Sequence, residues 1–285
     1  MAININFFRI NSAGNIDYEK LLEFFDGIPN FKIYYTDDEV EILYIDAEFK
    51  FSYRYLITKK SRVNQIYKLS PLFTNVNFLL EMPVLIPTFL AREILGLTQK
   101  ICKTFELEIY HDSFADVKPF NLVDTLALFS EMRETYIEEY GLQNKYPFDP
   151  EKLNEICKFQ RTVDNLKEYY HGDVDVQYCE PIIDKAANEY GICTTWNLGI
   201  PTVFPPHVDY IRIRDEENVE FMIRRNDFYD VMGKYLVDIV NFLPDMHLLR
   251  PKQARSSKKA INKLRKFAIV DQNFNPIRLC DLIDR

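Results

Sequence analysis

Apolar residues run through positions 3 to 10 in the manner of a short strand. Tyr18, Leu21, Leu22, Phe25 and Ile28 then recur every three or four positions and stop beside Gly27 and Pro29, which predicts an amphipathic helix. From Phe31 the period changes to two. Phe31, Ile33 and Tyr35, then Val40, Ile42 and Tyr44, then Ala47, Phe49, Phe51, Tyr53 and Tyr55 predict three consecutive antiparallel strands, with Asp37-Asp38 as the first turn. Asn77 to Leu85 reads as a further strand. Pro87 suits the first turn of a helix striped by Leu90, Ile94, Leu97 and Ile101, and alternation returns at Phe105, Leu107 and Ile109. Asn121 is placed to cap a helix carrying Leu122, Leu126, Phe129 and Tyr136, with Gly141 as its stop.

Asp149-Pro150 opens a helix that Gly172 ends, and a short helix is expected from Pro181 to Tyr190, ended by Gly191. Strands are expected around Trp196 and Val203. Tyr210 to Arg214 and Val219 to Arg224 form the clearest hairpin, across Asp215-Glu216-Glu217-Asn218, with Ile211, Ile213, Val219, Phe221 and Ile223 on one face. Asn226 is expected to cap a helix containing Phe228, Val231, Tyr235, Leu236 and Ile239. The pattern predicts an α+β protein, with antiparallel or mixed sheets and packed amphipathic helices. A boundary between Gly141 and Pro150 divides it into residues 1–145 and 146–285.

A 47% hydrophobic and 14% aromatic composition supplies core for such a fold, so a disordered chain is not the expectation. The most apolar stretch, Asn77 to Ala91, is broken by Glu81, Pro83 and Pro87, so no membrane span is expected. The opening Met1-Ala-Ile-Asn-Ile-Asn lacks the basic and apolar regions of a secretion signal. The five cysteines are odd in number and scattered, without a CxxC pair, which speaks against a disulfide framework or a zinc module. A soluble cytoplasmic protein is expected, with no cofactor or metal signalled.

Charge changes the picture more. Arg250, Lys252, Arg255, Lys258, Lys259, Lys263, Arg265 and Lys266 fall within seventeen residues that hold no acid, while the chain as a whole carries −8. Ser256 or Ser257 is placed to cap a helix whose Ala260, Ile261, Leu264 and Ala268 form an apolar stripe, leaving the cations on the solvent face. Residues 250–266 are thus a candidate contact surface for a polyanion, nucleic acid included, or for an acidic protein, with Arg255, Lys258, Lys259, Lys263, Arg265 and Lys266 as contact residues. The plainer reading is a solvated helix face neutralised by acids such as Asp37, Asp38, Glu39 and Glu41.

Two constellations offer alternatives. His171 with Asp173 and Asp175, and His207 with Asp209, place an imidazole and a carboxylate two residues apart; on a strand each pair projects from one face. That mixture serves metal binding or acid and base work in a metal-dependent hydrolase or nuclease. A third pair, His111-Asp112, is adjacent in sequence. His171 has a structural reading too, as a cation at a helix C-terminus. The segment from Cys193 through Trp196 to His207 concentrates a thiol, the sole Trp and three prolines, as around a small-ligand sensor's pocket, with Cys193 and His207 as a nucleophile and its base. Core packing of Trp196 is the plainer account, and Tyr34, Tyr44, Tyr53 and Tyr55 are expected under the helices. Because no nucleotide, metal or nucleophile motif occurs, the sequence points to a non-catalytic interaction or regulatory protein acting through its basic helix.

Overall fold

A computed structural model describes residues 2–184, 189–217, 219–239, 242–269 and 274–285. The chain is α+β, with helices and both antiparallel and mixed sheets. It separates into two units, Met1–Lys145 and Tyr146–Arg285.

The first unit is built on a six-stranded antiparallel sheet. β1 (Ala2–Ile10), β2 (Phe31–Tyr35), β3 (Glu39–Asp46), β4 (Phe51–Thr58), β5 (Phe73–Pro83) and β6 (Leu107–Tyr110) lie in the order β2-β3-β4-β5-β1-β6. Three helices accompany it: α1 (Tyr18–Asp26), α2 (Thr88–Phe105) and α3 (Leu122–Glu139). Alternation along the strands sends Phe7, Tyr55 and Phe78 to one face, where Phe7 stacks on Phe78 at 4.7 Å and Phe25 of α1 meets Tyr55 at 4.9 Å. The Tyr55 hydroxyl shares a 2.9 Å hydrogen bond with Thr98 Oγ1 of α2, so this buried phenol is satisfied. The opposite face carries a second cluster of Phe8, Val63, Tyr110 and Val117. Asn121 caps α3 through bonds from the Val123 and Asp124 amides.

Ala47 and Phe49 belong to a turn rather than to a third strand, because the Asp46 carboxylate accepts from the Phe49 amide at 2.8 Å and closes the chain there. Phe105 ends α2 instead of opening β6. Tyr53 and Tyr55 are buried as expected, whereas Tyr34 is 44% exposed, since it sits on the edge strand β2.

The second unit opens with β7 (Pro147–Phe148) and α4 (Pro150–Tyr169), which Asp149 caps through the Lys152 amide at 2.9 Å. Its main sheet is mixed, in the order β13-β12-β10-β9-β16: β9 (Glu180–Asp184), β10 (Glu189–Asn197), β12 (Tyr210–Arg214), β13 (Glu220–Arg224) and β16 (Phe274–Pro276), with β10 and β12 parallel. A smaller sheet orders β14 (Leu236–Asp238), β15 (His247–Leu249), β11 (Thr202–Phe204) and β8 (Asp175–Val176), and β17 (Ile283–Asp284) pairs with β7. Trp196, Phe204 and Phe228, the last from α5 (Arg225–Met232), form an aromatic core with ring centroids 5.6 and 5.1 Å apart.

Three expectations fail here. The helix from Pro181 to Tyr190 is replaced by the antiparallel strands β9 and β10, whose connecting residues 185–188 lie outside the described residues. The helix opening near Asn226 begins at Arg225 without a side-chain cap and stops at Met232. Leu236 instead pairs with Leu249 in a strand, and Ile239 follows that strand. Val219 is 51% exposed, just before β13, while Met222 is buried on the hairpin's other face, so both faces of that hairpin are covered.

Candidate functional site

The basic segment folds as a helical run: α6 (Pro251–Ser257), a tight turn, α7 (Ile261–Leu264) and a second tight turn through Phe267. The run starts at Pro251, so neither serine caps it. Ser257 is buried with its hydroxyl donating to Ala254 O at 2.8 Å, and Ser256 bonds back to Lys252 O at 2.9 Å. Ala254, Ser257 and Leu264 are buried and dock the run, while all eight basic side chains are exposed.

Seven of these cations fall into two groups, with Arg250 standing just before the run. Lys258 pairs with Glu216 at 2.5 Å and its stem crosses Gly199, where an added Cβ would lie 2.2 Å from Lys258 Cε. Arg265 pairs with Asp215, whose side chain is 4% exposed. Burial works against the Asp215 anion, but amide donors from Val219 and Glu217 and the Arg265 guanidinium outweigh it and hold the carboxyl below its usual range. Lys258 and Arg265 therefore anchor the run to the β12–β13 turn. The second group is Lys252, Arg255, Lys259, Lys263 and Lys266, spaced by three, four, four and three residues along one side of the run. Among the described residues, none of the five has a carboxylate within ion-pairing distance. Three of the four acids expected to neutralise the segment are engaged within the first unit: Asp38 with Lys59, Glu39 with Arg62 and Glu41 with Arg54.

A second arrangement surrounds His207. Its ring Nε2 meets the Glu155 carboxylate of α4, its Nδ1 lies 3.8 Å from Asp245 Oδ2, and its backbone amide donates to the same oxygen at 3.3 Å. Asp245 also binds Arg225, which lies 4.8 Å over the Tyr229 ring; the Tyr229 hydroxyl reaches His247 Nδ1 at 3.1 Å, and His247 Nε2 faces Asp238 at 3.2 Å. Burial disfavours the Asp245 anion, yet Arg225 together with the His207 amide more than compensates and keeps the carboxyl below its ordinary value. His207 holds a left-handed φ of 53°, a conformation that costs a non-glycine residue about 1–2 kcal/mol; these carboxylates hold it there.

His207 and Asp209 do share a cavity of about 630 Å³, also lined by Lys152, Tyr190, Arg224 and Arg225. They do not project from a strand, however. They lie in the loop before β12, and Asp209 Oδ2 accepts from the Ile192 amide at 2.8 Å, with burial raising its carboxyl above the usual range. This needs Gly191, since a Cβ there would meet Asp209 Oδ2 at 2.8 Å. His171 and Asp173 are exposed in the turn after α4, with no hydrogen bond or ion pair to His207 or Asp209 among the described residues. Asp175 is held by Gln177 at 2.8 Å. Among the described residues, no group of three or more His, Cys, Asp or Glu side chains is placed to hold a metal ion.

His111 is buried and bonds Ser113 at 2.8 Å; burial lowers its basicity, opposed by Asp112. Cys193 is fully buried against Ile182, Tyr210 and Met222, and burial pushes its thiol up to about 12, the opposite of an activated nucleophile. Its sulfur bonds Thr194 O, while the His207 ring faces Glu155 and Asp245, so the pair is not assembled as nucleophile and base. Trp196 is a core residue, its indole N–H donating to Ile200 O at 3.1 Å, and it does not line the His207 cavity.

Glu155, Arg225, Tyr229 and Asp245 escaped the sequence reading. They carry no local motif, and Glu155 and Asp245 meet His207 across 52 and 38 residues of chain. Among the described residues, no helix is long and apolar enough to cross a membrane. Comparison with protein-family models, curated proteins and solved structures finds no match.

Proposed function

We propose that this chain is a non-catalytic binding protein whose C-terminal unit contacts a phosphate-bearing polyanion through Lys252, Arg255, Lys259, Lys263 and Lys266. The observation that carries this reading is the division of the basic residues: Lys258 and Arg265 are tied to Glu216 and Asp215, and five others stand in one exposed row without a carboxylate. Like charges at spacings of three and four repel one another along a helix, which costs a few tenths of a kcal/mol per pair. Such a row is stabilised by an external anion that crosses it.

A phosphate backbone fits better than an acidic protein surface. Protein interfaces draw on an apolar core, and here Phe267 is the one large apolar side chain exposed along the run. Scarce aromatics also disfavour base stacking, so binding is expected to read charge and not sequence. Around His207, by contrast, the side chains of His207, Arg225 and His247 each face a carboxylate.

The test is a titration of a labelled oligonucleotide of mixed sequence against the protein and against a variant with Arg255, Lys259, Lys263 and Lys266 changed to Glu. Loss of salt-sensitive binding with an unchanged melting temperature supports the reading. Retained binding in the variant refutes it.

A further inference from the structure

The edge of the N-terminal sheet is open and runs beside an acidic helix. β2 is the end strand, and among the described residues only β3 pairs with it. Thr36 N–H donates to Glu39 O at 2.9 Å and Ile45 N–H to Asn30 O at 3.1 Å, which places the bonded pairs of this hairpin on the even-numbered residues of β2. Antiparallel pairing alternates along a strand. The N–H and C=O groups of Phe31, Ile33 and Tyr35 therefore point away from β3, and no other backbone or side-chain group among the described residues bonds to them.

Glu19, Glu23 and Asp26 recur at spacings of four and three on α1, which aligns them on one face. All three are exposed, and among the described residues none is ion-paired. They border a groove of about 790 Å³ whose apolar side chains include Leu22, Phe31 and Tyr35, the last 69% exposed. Unpaired strand groups, an apolar floor and a row of carboxylates thus occupy one groove.

We propose that this groove binds an extended basic segment of a partner protein, which adds to β2 as a further strand. Main-chain hydrogen bonds to an open edge supply affinity, and alternate side chains supply choice of partner. Here the carboxylates of α1 select Lys or Arg at the positions facing the helix, whose stems lie along Phe31 and Tyr35, and the positions between them face the other side of the sheet, beside the exposed Tyr34. Soluble proteins protect open edges with charge, proline or a bulge; β2 has Lys32 alone, with neither proline nor bulge against β3. The chain's own basic segment does not suit the groove, because its backbone is already bonded as α6 and α7.

The experiment uses the full chain and three labelled peptides: one alternating Arg and Val, the same peptide N-methylated on its edge-facing amides, and one alternating Glu and Val. Binding of the first is expected to weaken about ten-fold or more on N-methylation or on Ile33→Pro, which removes an outward N–H while keeping every bond to β3. The double change Glu19→Lys with Glu23→Lys is expected to abolish it. The acidic peptide is measured on protein whose C-terminal basic row has been reversed, so that any binding it shows belongs to the groove. No binding of the Arg-Val peptide, equal binding of its N-methylated form, or equal binding of the acidic peptide overturns the proposal. If Ile33→Pro unfolds the sheet, the N-methylated peptide decides alone, since it leaves the protein untouched.

Discussion

Removing one cation at a time from the basic run gives the sharpest test of its role, because the magnitude follows from counterion release. Lys252 to Lys266 spans about 20 Å at 1.5 Å per helical residue, enough to pass about twelve phosphates of a duplex, so five simultaneous contacts are geometrically open. Each phosphate contact contributes a salt slope of about −0.7 on a single strand and −0.9 on a duplex. Five contacts then give slopes of about −3.5 and −4.5, and raising salt from about 50 to 200 mM weakens binding roughly 100-fold and 500-fold. At about 0.1 M salt one contact is worth 0.7 to 0.9 of a decade, or about 1 kcal/mol. Lys263→Ala is accordingly expected to weaken binding about 5- to 8-fold and to reduce the slope by a single contact. Lys258→Ala and Arg265→Ala, made singly so that the other anchor still holds the run, are expected to leave the slope unchanged, because Glu216 and Asp215 already neutralise those side chains. Fluorescence anisotropy across a salt series, with thermal melting as the control for folding, measures all three. A slope near zero, or equal losses at Lys258 and Lys263, would show that the exposed row is only a solvated surface.

Three further outcomes probe the C-terminal unit. Gly191→Ala places a methyl 2.8 Å from Asp209 Oδ2 and 2.9 Å from Tyr210 Cε2. It is expected to cost about 1–3 kcal/mol in denaturant unfolding, and an unchanged midpoint would disprove the close approach. Burial raises the Asp209 carboxyl above its ordinary 3.8, opposed by the Ile192 amide and by Lys152, so the folded chain keeps this proton to higher pH than the unfolded chain does. Stability from this group therefore falls as pH rises from 3.8 through the raised value. Asp209→Asn, which keeps an acceptor for Ile192, should flatten that part of the pH profile, whereas a parallel curve refutes the assignment. Cys193, fully buried with its thiol near 12, is expected to react with iodoacetamide at neutral pH only as fast as the unit opens; prompt labelling of the folded protein would contradict its burial.

What the sequence made legible was local. The Asn121 and Asp149 caps each act within three residues, the Asp37-Asp38 turn joins adjacent strands, and α1 announces itself by spacing alone. The helices expected over Pro181 to Tyr190 and through Ile239 fail for one cause, which is that a distant partner overrode a local preference. Pro181 to Asp184 reads as the start of a helix, yet Ile182 and Ile183 pair on one side with β10 and on the other with Pro276 and Asn275, more than ninety residues on. Gly191 looks like a helix stop, and its role is instead to let Asp209 approach the strand. Leu236 continues a helical stripe by spacing, but Leu249 claims it for a sheet.

The same logic explains why the basic run was found and its division was not. A cluster of cations without acids is visible in any seventeen-residue window, and helical periodicity places it on a solvent face. Which of them are neutralised depends on Asp215 and Glu216, fifty and forty-two residues earlier, and on Gly199, whose missing side chain admits the Lys258 stem. Lys258 and Arg265 fix the orientation of the run, and that orientation turns Lys252, Arg255, Lys259, Lys263 and Lys266 outward together. Breaking the two anchors would therefore disperse the charge row without removing one of its members. That separates a surface organised for an extended anion from one that merely carries charge.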